Sequence, residues 1–146
     1  MRSLDELIGN HIFLAVISAW LIASILKGFI NIFQKKKFDI WRFLGHGGMP
    51  STHSAAVTSL ASSVILKDGW GATTSAVAVV LAFIVMVDAA GVRQATGRHA
   101  KALNQIIQEG FEGKLNLDIL HEFIGHTPLQ VIFGAIIGIS VGILIA

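Results

Sequence analysis

Two histidine motifs, each marked by a proline, contain the residue types best suited to chemistry in this chain. Residues 47–54 read Gly-Gly-Met-Pro-Ser-Thr-His-Ser, and residues 125–130 read Gly-His-Thr-Pro-Leu-Gln. Each proline lies at the entrance of an apolar run and fits the first turn of a helix. The positive end of a helix dipole favours an anion, and glycine lets the backbone approach a ligand closely. The motifs therefore predict a phosphate site around His53 and His126.

The composition places these motifs in a membrane protein. Of the 146 residues, 53% are hydrophobic and 14% are charged, whereas a soluble domain carries about 25% charged residues. The length predicts a single membrane-embedded domain that covers residues 1–146. The chain contains no cysteine, which excludes disulfides and thiolate metal sites.

Four uncharged runs must position the motifs. They are Leu7–Leu26, Phe43–Leu66, Gly69–Val87 and Phe123–Ala146. A helix of about 20 apolar residues spans a bilayer. In the second run only Ser54–Leu66 looks helical, and its many Ser, Thr and Ala residues predict a helix enclosed by the others. The predicted fold is an all-α polytopic membrane bundle of about four transmembrane helices. Short interfacial helices are expected at Arg93–Gln108 and after a cap at Asn116.

Three glycines, Gly134, Gly138 and Gly142, recur at a spacing of four on one face of the last predicted span. Small residues at this spacing allow close packing of helices. Two interpretations stay open: packing against another helix of the same chain, which we favour, and a seam between two copies. Because four helices enclose little volume, a homodimer is a further expectation.

The basic residues are concentrated in two of the connections between spans. Nine of the eleven Lys and Arg residues lie either between the first and second runs or between the third and fourth. With four spans, these two connections share one side of the membrane. The positive-inside rule predicts that this side, with the two histidines, faces the cytoplasm.

The motifs also resemble those of a known superfamily. Pro50-Ser51-Thr52-His53 is similar to the Pro-Ser-Gly-His motif of the type 2 phosphatidic acid phosphatases and vanadium-dependent haloperoxidases. Residues 125–131 resemble the segment that opens the last core helix of that superfamily. Together with Asp-Ala-Ala-Gly-Val-Arg at residues 88–93, these blocks are most similar to its divergent bacterial and plant branch, over nearly the whole chain.

The resemblance implies a phosphatidic-acid-phosphatase-like fold and a metal-independent phosphatase without a cofactor. His126 would attack phosphorus to form a phosphohistidine, while His53 would first donate and then accept a proton. The residues implied to hold the phosphoryl oxygens are Lys27, Arg42, Gly48, Ser51, Thr52 and Arg93. The substrate would be a phosphomonoester or diphosphate of a membrane lipid in the plasma (inner) membrane of a bacterium. No nucleic acid partner is expected.

One departure from the superfamily pattern concerns the nucleophile. Gln130 stands four residues after His126, where the superfamily has an aspartate. A glutamine accepts a hydrogen bond but adds no charge, so His126 is expected to be a weaker nucleophile. Asp88 and Glu122 are candidates for the missing support. Two alternatives therefore stay open: a non-catalytic membrane protein that binds phospholipid or phosphate, and a component of a lipid transporter or flippase.

Overall fold

The computed structural model describes residues 2–35, 48–110, 120 and 125–146, with side chains at 5–33, 48–107, 120 and 125–146. Within these ranges the chain is helical and contains no strand, which confirms the prediction of an all-α fold. The helices are α1 (Arg2–Ile8), α2 (His11–Lys35), α3 (Thr52–Asp68), α4 (Thr73–Ala90), α5 (Val92–Gly110) and α6 (Pro128–Ile145).

Helix α3 lies at the centre of the bundle and contacts α2, α4 and α6. Small side chains make this possible, since they let neighbouring backbones approach closely. Ala55 of α3 is fully buried with Ala19 and Ala23 of α2 and with Val141 of α6. The prediction that the Ser- and Ala-rich run is enclosed by the other helices is confirmed.

Two buried hydroxyl groups of α3, those of Thr58 and Ser63, donate hydrogen bonds to backbone carbonyls. The Thr58 hydroxyl donates to Ser54 O at 2.7 Å and lies 3.2 Å from Ala135 O on α6. The Ser63 hydroxyl donates to Gly142 O at 3.3 Å. A hydroxyl in an apolar interior is costly without such a partner, so these bonds let a polar helix occupy the core.

The three glycines of α6 all face α3. A methyl group added at Gly134 would overlap the carbonyl oxygen of Ser51, and one at Gly138 would overlap Thr58 and Ala55. One added at Gly142 would overlap the Ser62 hydroxyl. The interpretation as packing within the chain is therefore confirmed, and the alternative of a dimer seam along this glycine face is wrong because α3 already covers it.

Helix α2 differs from its predicted boundaries at both ends. It begins at His11 rather than Leu7, since the Asn10 side chain accepts hydrogen bonds from the N–H groups of Ile12 and Phe13 at 3.0 and 3.4 Å. It continues through Lys27, where the charge had suggested an end. The Lys27 side chain is only 4% exposed, so it lies inside the end of the bundle instead of marking its edge.

The two prolines occupy different positions relative to their helices. Pro128 is the first residue of α6, as predicted. Pro50 was expected in the first turn of a helix, but α3 begins at Thr52 with Ser51 as its N-cap. The Ser51 hydroxyl provides this cap, which moves the helix start beyond the proline.

Within the described residues, three helical stretches are long and apolar enough to cross a membrane: His11–Phe33, Thr73–Ile107 and Pro128–Ile145. Large apolar side chains on these helices point outward, as expected when lipid is the solvent. The shorter, more polar α3 is packed among them. The protein is an integral membrane protein with a helical bundle. About four transmembrane helices were predicted; three described stretches meet the length and hydropathy of a span, and α3 is the fourth helix of the bundle.

Candidate functional site

The two histidine motifs meet at one end of the bundle, where the antiparallel helices place the end of α4 beside the starts of α3 and α6. Two backbone hydrogen bonds hold the motifs in place. The N–H of His126 donates to Ala89 O at 3.0 Å, and the N–H of Ser51 donates to Gln130 O at 3.0 Å. Residues that are 73 positions apart in the sequence, His53 and His126, are thereby brought together.

The imidazole rings of His53 and His126 lie edge to face at the entrances of α3 and α6. Their centroids are 6.2 Å apart and their planes meet at 78°. His126 is 1% exposed, whereas His53 is partly buried. A proton donor must come within about 2.6–3.2 Å of its acceptor, and a nucleophile starts about 3–3.5 Å from the atom that it attacks. The two rings therefore lie at the same end of the bundle, and the placement of a phosphoryl group between them stays a prediction.

Lys27 and Gly48 form a neighbouring part of the site. The Cε atom of Lys27 lies 3.4 Å from the position where a side chain on Gly48 would begin. Gly48 has a φ of 86°, which favours glycine. The chain before α3 can therefore pack over the aliphatic stem of Lys27. The cation and the positive end of the α3 dipole both favour an anion at this end of the bundle.

Ser51 and Thr52, predicted to bind phosphate, are buried at the start of α3. The Ser51 hydroxyl accepts hydrogen bonds from the Ser54 N–H at 3.3 Å and from the Ser54 hydroxyl at 3.0 Å. Its backbone N–H is used by Gln130 O. Ser51 therefore joins the two motifs and caps α3, and a direct contact with phosphate stays a prediction.

Arg93 and Asp88 form an ion pair across the junction of α4 and α5. The Nε atom of Arg93 donates to an Asp88 carboxylate oxygen at 2.7 Å, and both side chains are about one-third exposed, at 35% and 38%. Gly125, with a φ of 109°, lies directly against the backbone of Arg93 and Gln94. The pair therefore borders the segment that delivers His126. Phosphate binding by Arg93 stays a prediction.

Gln130 completes a capping box at the start of α6. Its side-chain oxygen accepts the Thr127 N–H at 3.1 Å, and its own N–H donates to the Thr127 hydroxyl at 3.4 Å. This is the ordinary use of glutamine three residues after an N-cap threonine. The residue at the superfamily's aspartate position thus stabilises the helix that carries the histidine motif.

Two predicted site residues, Arg42 and Glu122, lie outside the described residues. Among the residues that the structure describes, no group of three His, Asp or Glu side chains is arranged to hold a metal ion.

Sequence reasoning overlooked Ser24, which lies one helical turn before Lys27 on the same side of α2. Its side chain is 1% exposed, and its hydroxyl has no hydrogen-bond partner among the described residues. The sequence did contain a signal for it, because Ser24 and Lys27 are polar residues three positions apart in an otherwise apolar helix.

Comparison with known proteins agrees with this architecture. Residues 8–141 match the model of the family described as the divergent PAP2 family. The chain belongs to this family. It is 33% identical over 154 residues to the uncharacterized membrane protein YuiD of Bacillus subtilis (strain 168), across 97% of each chain. No solved structure matches the chain. The resemblance noted in the sequence is confirmed.

Proposed function

We propose that this divergent PAP2 protein is a lipid phosphatase that hydrolyses a phosphomonoester or diphosphate lipid through a phosphohistidine. The observation that carries the proposal is the pair of imidazoles, 6.2 Å apart between ring centroids, at the entrances of two membrane helices. A buried lysine lies at the same end of the bundle. Two imidazoles and a lysine at the same end of the bundle suit the transfer of a phosphoryl group from a lipid to water.

The chemistry would run in two steps. A ring nitrogen of His126 attacks phosphorus while the bond from phosphorus to the leaving oxygen breaks, and His53 gives that oxygen a proton. Water then attacks the phosphohistidine, His53 takes its proton, and the bond between phosphorus and nitrogen breaks. Lys27 and the dipole of α3 stabilise the charge on the phosphoryl oxygens in both steps.

The surroundings of the site favour a lipid substrate. Helix α6, which follows the His126 motif, exposes large apolar side chains along its length, such as Leu129 and Ile132 at 57% and 53%. The two histidines, Lys27 and Ser51 lie at one end of the bundle. A substrate with acyl or prenyl chains and an anionic head would match both parts of this surface.

Phosphate release by the purified full chain tests the proposal. The substrates are phosphatidic acid, phosphatidylglycerophosphate and a polyprenyl diphosphate, presented in micelles. His126→Ala and His53→Ala should each lose at least about a hundredfold in rate, as expected when an acid–base group is removed. His11→Ala, at an exposed histidine outside the site, is the matched control and should keep full activity. Full activity of His126→Ala would refute the mechanism.

An aryl phosphate separates the two histidine roles. Its leaving group needs little protonation, so His53→Ala should still form the phosphohistidine but break it down slowly. Radiolabel that survives alkaline denaturation should therefore accumulate on His53→Ala and be missing from His126→Ala. Equal labelling of both variants would contradict the assignment of His126 as nucleophile.

A non-catalytic phosphate-binding protein is the second candidate, and the capping box favours it. The Gln130 oxygen is engaged by the Thr127 N–H, and an amide cannot supply the negative charge that stabilises an imidazolium. If wild-type protein binds vanadate or lipid phosphate with Lys27 but releases no phosphate from any substrate, this candidate replaces the phosphatase.

We also propose that the histidine end faces the cytoplasm, because basic residues are concentrated in the connections on that side. The absence of cysteine makes the test direct. An impermeant maleimide added to intact bacterial cells should label Trp70→Cys, at the far end of α3, and should leave Gln105→Cys on α5 unlabelled. The reverse pattern would invert the proposed orientation.

A further inference from the structure

Helix α5 presents two exposed stripes of opposite character. Its large exposed apolar residues recur at helical spacing and are Val92, Leu103 and Ile106, at 63%, 49% and 60% exposure. Thr96 and His99 complete that stripe. The other exposed stripe is polar and consists of Arg98, Lys101 and Gln105. The spacings of three and four residues place each set on one side of the helix.

A third face of α5, between these two stripes, is buried in the protein. It contains Gly97, Ala100 and Asn104, which are buried. The Asn104 side chain donates to Leu120 O at 2.9 Å and accepts the Leu120 N–H at 3.0 Å. Leu120 therefore contacts α5 on this flank.

Helix α5 leaves the bundle where α4 ends. Gly91, between the two helices, has φ −105° and ψ −78°, which departs from helical values of about −63° and −42°. Among the described helices, α5 contacts only α4. This helix continues from a membrane span and exposes both an apolar and a polar stripe. The apolar stripe can contact lipid while the polar stripe contacts water only if the helix lies at the membrane surface.

The polar stripe carries positive charge. Arg98 and Lys101 are exposed on it, and Arg98 also lies 3.4 Å from the Gln94 side-chain oxygen. The acidic residue of this helix, Glu109, is in its last turn, beyond the described side chains. Cations at the membrane surface attract anionic headgroups.

We propose that α5 is a membrane-surface helix that binds anionic phospholipid headgroups through Arg98 and Lys101, with Val92, Leu103 and Ile106 in the acyl layer. This surface would gather anionic lipids beside the segment that delivers His126, since Gly125 lies against the first turn of α5. The proposal concerns lipid binding and holds whether or not the site turns substrate over.

Single-cysteine labelling of the full chain in vesicles tests this placement, because the wild-type chain has no cysteine to label. A fluorophore at Leu103→Cys should be quenched by brominated lipid and not by iodide in water. A fluorophore at Gln105→Cys, on the polar stripe, should show the reverse. Ile106→Cys serves as a second probe if Leu103→Cys folds poorly.

Recognition of the headgroup is tested with the same Leu103→Cys probe in mixtures of phosphatidylglycerol and phosphatidylcholine. Brominated phosphatidylglycerol should quench more strongly than brominated phosphatidylcholine at equal mole fraction. The local enrichment should fall by about fivefold for each of Arg98→Gln and Lys101→Gln. Lys67→Gln, an exposed cation at the far end of α3, is the matched control and should leave it unchanged.

Three results would overturn the proposal. Quenching of the Leu103 probe by iodide would place the stripe in water. Protection from both quenchers would show that another part of the chain or a second copy covers it. Equal quenching by the two lipids would rule out recognition of anionic headgroups. None of these readouts uses phosphate release, so a failure here is distinct from a failure of the phosphatase proposal.

Discussion

Replacing Gly134 with alanine tests how the packing of α6 on α3 sets the geometry of the two histidines. Gly134 lies against Ser51, which caps α3 two residues before His53, and α6 follows directly on the His126 motif. Gly134→Ala adds one methyl group at this contact. We expect both lower stability and a larger loss of activity.

The magnitude follows from the contact itself. The new Cβ atom would overlap the Ser51 carbonyl oxygen and lie 3.1 Å from the Ser51 Cβ atom. Restoring ordinary van der Waals contact separates the two helices locally by about 1 Å. Overpacking of this kind costs about 1–3 kcal/mol, and the better helix propensity of alanine offsets about 1 kcal/mol of it. A displacement of about 1 Å at reacting groups can reduce the rate about a hundredfold.

Two glycine variants separate stability from activity. Gly142→Ala makes a similar overlap with Ser62, near the opposite end of α6, so it should lower the thermal midpoint without an equal loss of phosphate release. Gly71→Ala has no atom within 4 Å of the added group and should change neither. The measurements are thermal unfolding in detergent and phosphate release at 25 °C.

The reasoning would be refuted if Gly134→Ala unfolded at the wild-type temperature, because the close approach of α6 to Ser51 would then be absent. Loss of stability with unchanged phosphate release would refute only the expected link between this contact and activity. In that case the spacing of the histidines would not depend on this contact.

Three further predictions concern single side chains. Ser24→Ala should leave the stability unchanged or raise it, since the buried hydroxyl has no partner among the described residues. Ser63→Ala should lower the stability by about 0.6 kcal/mol, because it loses a hydrogen bond to a carbonyl. Thermal midpoints measure both effects, and a Ser24→Ala variant less stable than wild type would contradict the first expectation. Lys27→Met should keep the fold and weaken vanadate binding by about 10- to 100-fold, as expected for a lost charge-assisted hydrogen bond. The control Lys67→Met should bind vanadate as wild type does. Calorimetric titration measures both affinities, and equal affinities would show that Lys27 is not part of the site. Gln130→Glu should retain the capping box and the wild-type thermal midpoint, whereas Gln130→Leu should lower the free energy of unfolding by about 1 kcal/mol. Equal midpoints for the two variants would show that the side-chain cap does not stabilise the helix.

Much of the fold was predictable because its signals are local. An uncharged run long enough to cross a bilayer specifies a helix, and the small residues of α3 and α6 specify which helices approach closely. The helix boundaries were less predictable. The end of α2 was placed before Lys27 because a charge normally leaves the membrane, but this lysine is buried within the end of the bundle.

The candidate site was predictable to the same extent. The two proline-marked motifs identified His53 and His126, and the structure brings these residues together. The uses of Ser51 and Gln130 as helix caps depend on where each helix begins, which the motifs alone did not fix. Ser24 was overlooked because its burial depends on which helices pack against α2, and the local sequence does not show this.

The central position of α3 has a consequence for how the protein is made. Helix α3 emerges from the ribosome before α6, yet its buried Thr58 and Ser63 hydroxyls contact carbonyl groups of that later helix. Until α6 is inserted, the surface of α3 that receives the three glycines is left exposed to lipid or water. A chain interrupted before residue 126 would therefore lack both His126 and the partner that covers α3. We expect such a fragment to be a substrate for membrane proteases, so that completion of the histidine end of the bundle and release from quality control coincide.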